Sequence, residues 1–223
     1  MSDATTRTEL ELTLKLSEIF FSLQGEASRV GLPTVFIRLT GCPLRCVWCD
    51  TSYAFSGGKV YTLAEILTEV QKYPTRQICV TGGEPLAQKH CLPLLSLLCD
   101  AGYEVSLETS GALDIAAVDP RVSRIMDLKA PDSGECERNL WANVAYLQPR
   151  DELKIIIASR ADYEWAKTQL AHHDLAKHCP VLLSPAHHSQ EPRQLAEWIL
   201  ADGLPVRFQL QLHKILWDNA QGK

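Results

Sequence analysis

The sequence has no excess of basic residues: 22 Lys and Arg stand against 27 Asp and Glu, for a formal net charge of −5 and a pI near 5.8. Nucleic acids and anionic membranes are engaged through clustered Lys and Arg, so neither is expected as a partner. No stretch approaches the roughly 18 consecutive apolar residues of a membrane span. The opening residues Met1 to Glu9 lack the apolar centre of a secretory leader. A cytoplasmic location is therefore expected. Low-complexity tracts and linkers are absent too, which leaves one domain as the expected organisation of 223 residues, 46% of them hydrophobic and 22% charged. A small-molecule or protein partner fits that composition.

Cysteine is what the chain does have. Three of its eight cysteines fall between Cys42 and Cys49. In a reducing compartment such a cluster points to metal rather than to disulfides. Cys79, Cys91, Cys99, Cys136 and Cys179 sit in apolar segments and read as small buried residues.

From Val35 onward, β-rich runs alternate with amphipathic stretches, the pattern of repeated βα units. Runs fall at 35–40, 77–81, 104–109, 124–128, 153–158, 180–184 and 206–212, and helical patterns at 62–72, 91–101, 137–147, 161–177 and 190–201. Thr62 with Glu65 three residues on is a capping-box signature for the first helix. The expected fold is α/β: a partial, open βα barrel with about six parallel strands and outer helices, since a complete barrel needs about 250 residues. The expected division is an N-terminal extension at 1–34, a barrel core at 35–205, and a C-terminal strand and tail at 206–223. Chemistry in such folds gathers at the C-terminal ends of the strands.

Gly41-Cys42-Pro43-Leu44-Arg45-Cys46-Val47-Trp48-Cys49-Asp50 follows the first run and spaces three thiols C-x3-C-x2-C. Structural zinc normally takes four ligands, whereas an iron–sulfur cubane held by three thiolates keeps one iron open. Zinc completed by His90 or Cys79 is the competing reading. One βα unit later, Gly82-Gly83-Glu84-Pro85 ends a strand, with glycines that let a ligand approach the backbone and a carboxylate suited to a cationic amine. On the first run Phe36, Arg38 and Thr40 share the face opposite Val35, Ile37 and Leu39, so Arg38 points into a barrel interior and needs an anion.

These motifs resemble the radical S-adenosylmethionine superfamily over nearly the whole chain. Within it they are most similar to the small members that make 7-carboxy-7-deazaguanine from 6-carboxy-5,6,7,8-tetrahydropterin on the route to queuosine. The resemblance implies a carbon–nitrogen lyase that cleaves S-adenosylmethionine reductively, contracts the pterin ring and releases ammonia. It assigns a 4Fe–4S cluster to Cys42, Cys46 and Cys49, and Mg2+ to Thr51. It assigns S-adenosylmethionine to Trp48, Asp50, Gly82, Gly83, Glu84, Gly111, Asp127, Lys129 and Ser184. The pterin falls to Leu23, Gln24, Gly25, Arg38 and Thr109. Lys154 is expected near the site, and the segment from Arg207 to Lys214 is expected to help close it. An electron donor such as a flavodoxin and a homodimer are also implied. His187 and His188 read as a surface loop near the cofactor. Two other functions use the same cysteines: an activase that makes a glycyl radical in a partner enzyme, and a non-catalytic zinc module.

Overall fold

Strands whose alternate residues are Val, Ile or Leu must bury one face, and helices with an apolar stripe supply the cover. The computed structural model, which describes residues 8–218 and 220–222, arranges them so. The outer ends of the expected extension and tail, at 1–7, Asn219 and Lys223, lie outside the described residues.

β1 (Thr13–Leu23) runs antiparallel to both β2 (Pro33–Leu39) and β3 (Lys59–Thr62). From β2 the sheet continues in parallel through β4 (Gln77–Gly82), β5 (Glu104–Thr109), β6 (Ser123–Leu128), β7 (Glu152–Ile157) and β8 (Val181–Pro185) to the two-residue β9 (Arg207–Phe208). The order β3-β1-β2-β4-β5-β6-β7-β8-β9 leaves the sheet open at both ends. This is the expected partial barrel, with two antiparallel strands added.

The outer face carries the core. Val35, Ile37, Leu39, Ile78, Val80, Val105, Leu107, Leu153, Ile155, Val181 and Leu183 pack under the helices. The helices are α1 (Leu63–Val70), α2 (Cys91–Asp100), α3 (Arg160–His172), α4 (Leu175–His178), α5 (Pro192–Asp202) and α6 (Leu212–Trp217). The capping box at the start of α1 is present: Glu65 N donates to Thr62 Oγ1 and Thr62 N to Glu65 Oε2. No helix among the described residues is long and apolar enough to cross a membrane.

Several elements differ from expectation. The 137–147 segment forms two short 3-10 turns, Cys136–Arg138 and Trp141–Tyr146, instead of an α-helix. Asn139 exchanges hydrogen bonds with the Lys129 backbone, and Asn143 bonds Gly111 O, Leu113 O and Ile115 N. Side chains that serve distant backbone in this way compete with the helical ladder. The expected helix 161–177 breaks at His173 and Asp174, the latter at φ +50°. The last run leaves the sheet after Phe208, because Gln209 bonds both N and O of Ala27 through its side chain and Leu212 N donates to Gly25 O. From Leu212 the chain winds into α6 instead of extending the strand.

Candidate active site

The residues that alternate with the core set point to the concave side of the sheet. Phe20, Arg38, Thr81, Glu108, Asp127 and Lys154, from six neighbouring strands, line one cavity of about 500 Å3 at the strand ends. The face expected of Arg38 is thus the one it occupies.

Cys42, Cys46 and Cys49 all line this cavity. Their loop leaves β2 through Gly41 at φ +99°. It is pinned by Gly41 N to Ala54 O (2.8 Å), Val47 N to Ser133 O (3.0 Å) and Arg45 N to Glu135 Oε1 (2.5 Å). It also rests on the end of β4, where a Cβ at Gly83 would lie 2.0 Å from Gly41 O and 3.0 Å from Cys42 Cβ. The glycine pair lets the cysteine loop, as much as any ligand, approach the backbone. Burial pushes the Cys42 and Cys46 thiols up, with Lys129 opposing it at Cys46.

No three His, Cys, Asp or Glu side chains among the described residues converge on a site for one metal ion. Cys42, Cys46 and Cys49 supply three thiols to one cavity, the donor set of an iron–sulfur cubane that keeps one iron open. Ser184, on β8 beside Ile156, carries a buried hydroxyl without a protein partner. Thr51 lines the cavity, and its hydroxyl donates to Asp50 Oδ1 at 3.4 Å, beside Cys49 Sγ at 3.9 Å.

Trp48, Asp50, Gly82, Gly83, Asp127 and Lys129 also reach the cavity, whereas Glu84, Gly111 and Ser184 stand behind its wall. Glu84 is fully buried. Its carboxylate accepts from Thr109 Oγ1 (3.0 Å), Ser110 N (2.6 Å), Ser110 Oγ (2.5 Å) and Leu86 N (3.0 Å), so it organises the ends of β4 and β5. Gly111, at φ +73°, is where a Cβ would meet Asp127 O at 2.5 Å, so its close approach is to β6.

A chain of alternating charges crosses the cavity wall. Lys129 Nζ bonds Asp127 Oδ2 (2.6 Å), Asp127 Oδ1 faces Lys154 Nζ (3.3 Å), and Lys154 reaches Glu26, which also accepts from Gln211 Nε2. Burial works to raise the Asp127 carboxyl, but Lys129 and Lys154 overcome it and hold it below its ordinary range. Burial likewise opposes the charge of Lys154, but Asp127 and Glu26 outweigh it and raise it well above the usual lysine value.

On the other side, Leu23, Gln24, Gly25, Arg38 and Thr109 line the cavity. Gln24 accepts from Gly25 N and Glu26 N, and its Nε2 donates to Glu108 Oε1 at 3.2 Å. α6 closes over this loop so tightly that a Cβ at Gly25 would sit 2.2 Å from His213 Nδ1. Asp50 ties the cysteine loop to α6: desolvation would raise its carboxyl, but Lys214 at 3.0 Å and His213 hold it low. His187 and His188 line the cavity, with ring centroids 3.7 Å apart. Sequence reasoning missed Tyr53, and it gave no separate role to Glu18, Glu108 or His213, although each lies in a segment expected near the site: Glu18 at the start of the 18–26 stretch, Glu108 at a strand end, and His213 within 207–214.

An open, mostly parallel βα sheet with three cysteines on a loop at the strand ends is the architecture of a radical S-adenosylmethionine enzyme, and residues 36–130 match the Radical SAM superfamily. The chain is 49% identical to the 7-carboxy-7-deazaguanine synthase of Chlorobaculum tepidum, over 93% of this chain and 96% of the relative. It is 42% identical to the synthase of Koribacter versatilis, over 92% and 97%. The crystal structure of QueE from Escherichia coli superposes with a TM-score of 0.79 at 25% identity, covering 96% of this chain and all of that one. The chain belongs to the 7-carboxy-7-deazaguanine synthase family.

Proposed function

We propose that this chain converts 6-carboxy-5,6,7,8-tetrahydropterin to 7-carboxy-7-deazaguanine with loss of ammonia, as a radical S-adenosylmethionine lyase. The observation that carries this reading is the placement of Arg38 in the same cavity as the three-cysteine loop, in a chain 49% identical to a synthase of that name. Membership of this family argues against both the activase and the zinc module.

When bound, the 4Fe–4S cluster and S-adenosylmethionine supply a hydrogen-abstracting radical. The protein's own part is to hold and exclude. Cys42, Cys46 and Cys49 hold the cluster. Trp48, Asp50, Gly82, Gly83, Asp127 and Lys129 shape the cofactor wall, with Glu84, Gly111 and Ser184 behind it. Gln24 and Gly25 present backbone and amide groups to the pterin, beside Leu23 and Thr109. Arg38 binds the substrate carboxylate, and Thr51 would offer its hydroxyl to Mg2+, which takes oxygen ligands and keeps waters. α6 shuts out solvent over Gly25.

The described sheet supports a single domain, in which the 1–34 portion contributes β1 to the barrel. The reading includes a homodimer, supported by exposed Val60 and Phe208 at the two sheet edges, a cytoplasmic location, and a one-electron donor such as a flavodoxin. Anaerobic reconstitution followed by chromatography with S-adenosylmethionine, a reductant and the pterin tests the activity. Formation of 7-carboxy-7-deazaguanine supports it, and cofactor cleavage that the pterin neither stimulates nor diverts to that product removes it.

A further inference from the structure

Leu14 and Leu16 of β1 point into the core, and Glu18, two residues on, would share their face in a regular strand. A register shift between Leu16 and Glu18 turns the carboxylate to the concave side instead, directly opposite Arg38. Bulges re-aim side chains in this way beside functional sites. A single oxygen, Glu18 Oε1, then accepts from Arg38 Nε at 2.7 Å and from Tyr53 OH at 2.7 Å. Tyr53 belongs to the 3-10 turn Ser52–Phe55, which comes just after Thr51 and the last cluster cysteine.

We propose that Glu18, braced by Tyr53, is a positioning residue that presents the Nη1 and Nη2 edge of Arg38 to the substrate carboxylate and keeps that edge in register with Thr51. This rests on the substrate reading above. A guanidinium has five N–H groups in one plane, and fixing Nε fixes the plane. The remaining edge matches a carboxylate bidentately. The structure records no protein hydrogen bond to that edge among the described residues. Phe20, stacked on Phe36 at 4.9 Å, and Tyr53 flank the guanidinium carbon at 5.7 Å and 6.0 Å and limit its tilt.

Charge and position predict opposite signs here. Glu18 offsets the charge of Arg38, so charge alone makes Glu18→Ala bind an anion more tightly. Positioning makes it bind more weakly. The test is anaerobic equilibrium dialysis of the reconstituted enzyme with 6-carboxytetrahydropterin and with tetrahydropterin lacking the carboxylate.

Glu18→Ala is expected to weaken the carboxylated ligand by about ten- to hundred-fold, the range of a hydrogen bond to a charged group, and to leave the other ligand unchanged. Glu18→Gln keeps the acceptor oxygen and stays within about threefold of wild type, the scale of one neutral hydrogen bond. Tyr53→Phe, which leaves the Arg38 pair in place, gives a smaller loss confined to the carboxylated ligand. Adding Glu18→Ala to Arg38→Ala produces no further loss. Tighter binding by Glu18→Ala, equal weakening of both ligands, or additive losses with Arg38→Ala would overturn the assignment. A wild-type enzyme that ignores the carboxylate would remove the substrate reading and this one with it.

Discussion

Replacing Lys154 with Met tests how far the fold depends on Lys154 to compensate the buried carboxylates of Glu26 and Asp127. The Lys154 side chain is 11% exposed and pairs with Glu26 and with Asp127 Oδ1 at 3.3 Å. Breaking a buried pair by removing one partner costs about 3–5 kcal/mol. Asp127 keeps Lys129 and Glu26 keeps Gln211, which lowers the expected loss to about 2–3 kcal/mol. In a chain of this size that is a fall in Tm of about 4–12 °C.

The sign of the pH dependence is set by the two partners separately. Asp127 is depressed in the folded state, so its stabilisation is present above the unfolded carboxyl value and is lost as pH falls through the folded value. Lys154 is raised, so its contribution is complete below the unfolded lysine value and is lost as pH rises through the folded one. The gap between wild type and Lys154→Met is therefore widest between about pH 4 and pH 10 and narrows below that window. Urea titrations followed by circular dichroism at pH 7.5 and at the acid limit of folding measure it. A gap below about 1 kcal/mol at pH 7.5, the value of an exposed pair, would refute the reasoning, as would a gap that grows on acidification.

The loops and caps carry further expected outcomes. Gly83→Ala places a methyl group 2.0 Å from Gly41 O, so the cysteine loop must move; an overpacking loss of about 1–3 kcal/mol is expected with lower iron content after reconstitution, and full iron loading would contradict it. Cys46→Ala is expected to abolish cluster absorbance while leaving the far-ultraviolet spectrum of the fold. Thr62→Ala removes the capping box of α1 and should cost about 1 kcal/mol by urea titration, with turnover unchanged.

Where the sequence was legible, one residue's neighbours along the chain determined its surroundings. The C-x3-C-x2-C spacing places its thiols on one loop by itself, and the alternation from Val35 to Leu39 is enough to put Arg38 on the concave face. β1 was not legible, because its bulge breaks the alternation at the point where Glu18 turns inward. The 137–147 segment misled for a different reason. It has helical periodicity, but Asn139 and Asn143 are committed to backbone groups of other loops. Glu84 reads as a ligand-facing carboxylate at a strand end, and its engagement by Thr109 and Ser110 depends on residues 25 and 26 positions away. The link between Gln209 and Ala27, which ends the last strand, spans 182 positions.

The same distinction explains how the cavity is built. Its cofactor side is recognisable from short-range features, three spaced cysteines and a glycine pair, although the distant Ser133 and Glu135 pin the loop in place. Its substrate side is assembled from β1, β2 and α6, which meet through contacts between residues well separated in sequence: Glu18 with Arg38, Gly25 with His213, Glu26 with Gln211. Links that cross between the sides include Tyr53 to Glu18, Asp50 to Lys214, and Lys154 between Glu26 and Asp127. Buried ion pairs contribute little net stability when their desolvation is counted, so geometry is the property such links serve best. A radical generated on one side must meet a single carbon–hydrogen bond on the other, and misplacement of about 1 Å is enough to lose about a hundredfold in rate. Fixing the two sides against each other with charged, directional contacts meets that demand where an apolar wall, free to slide, does not.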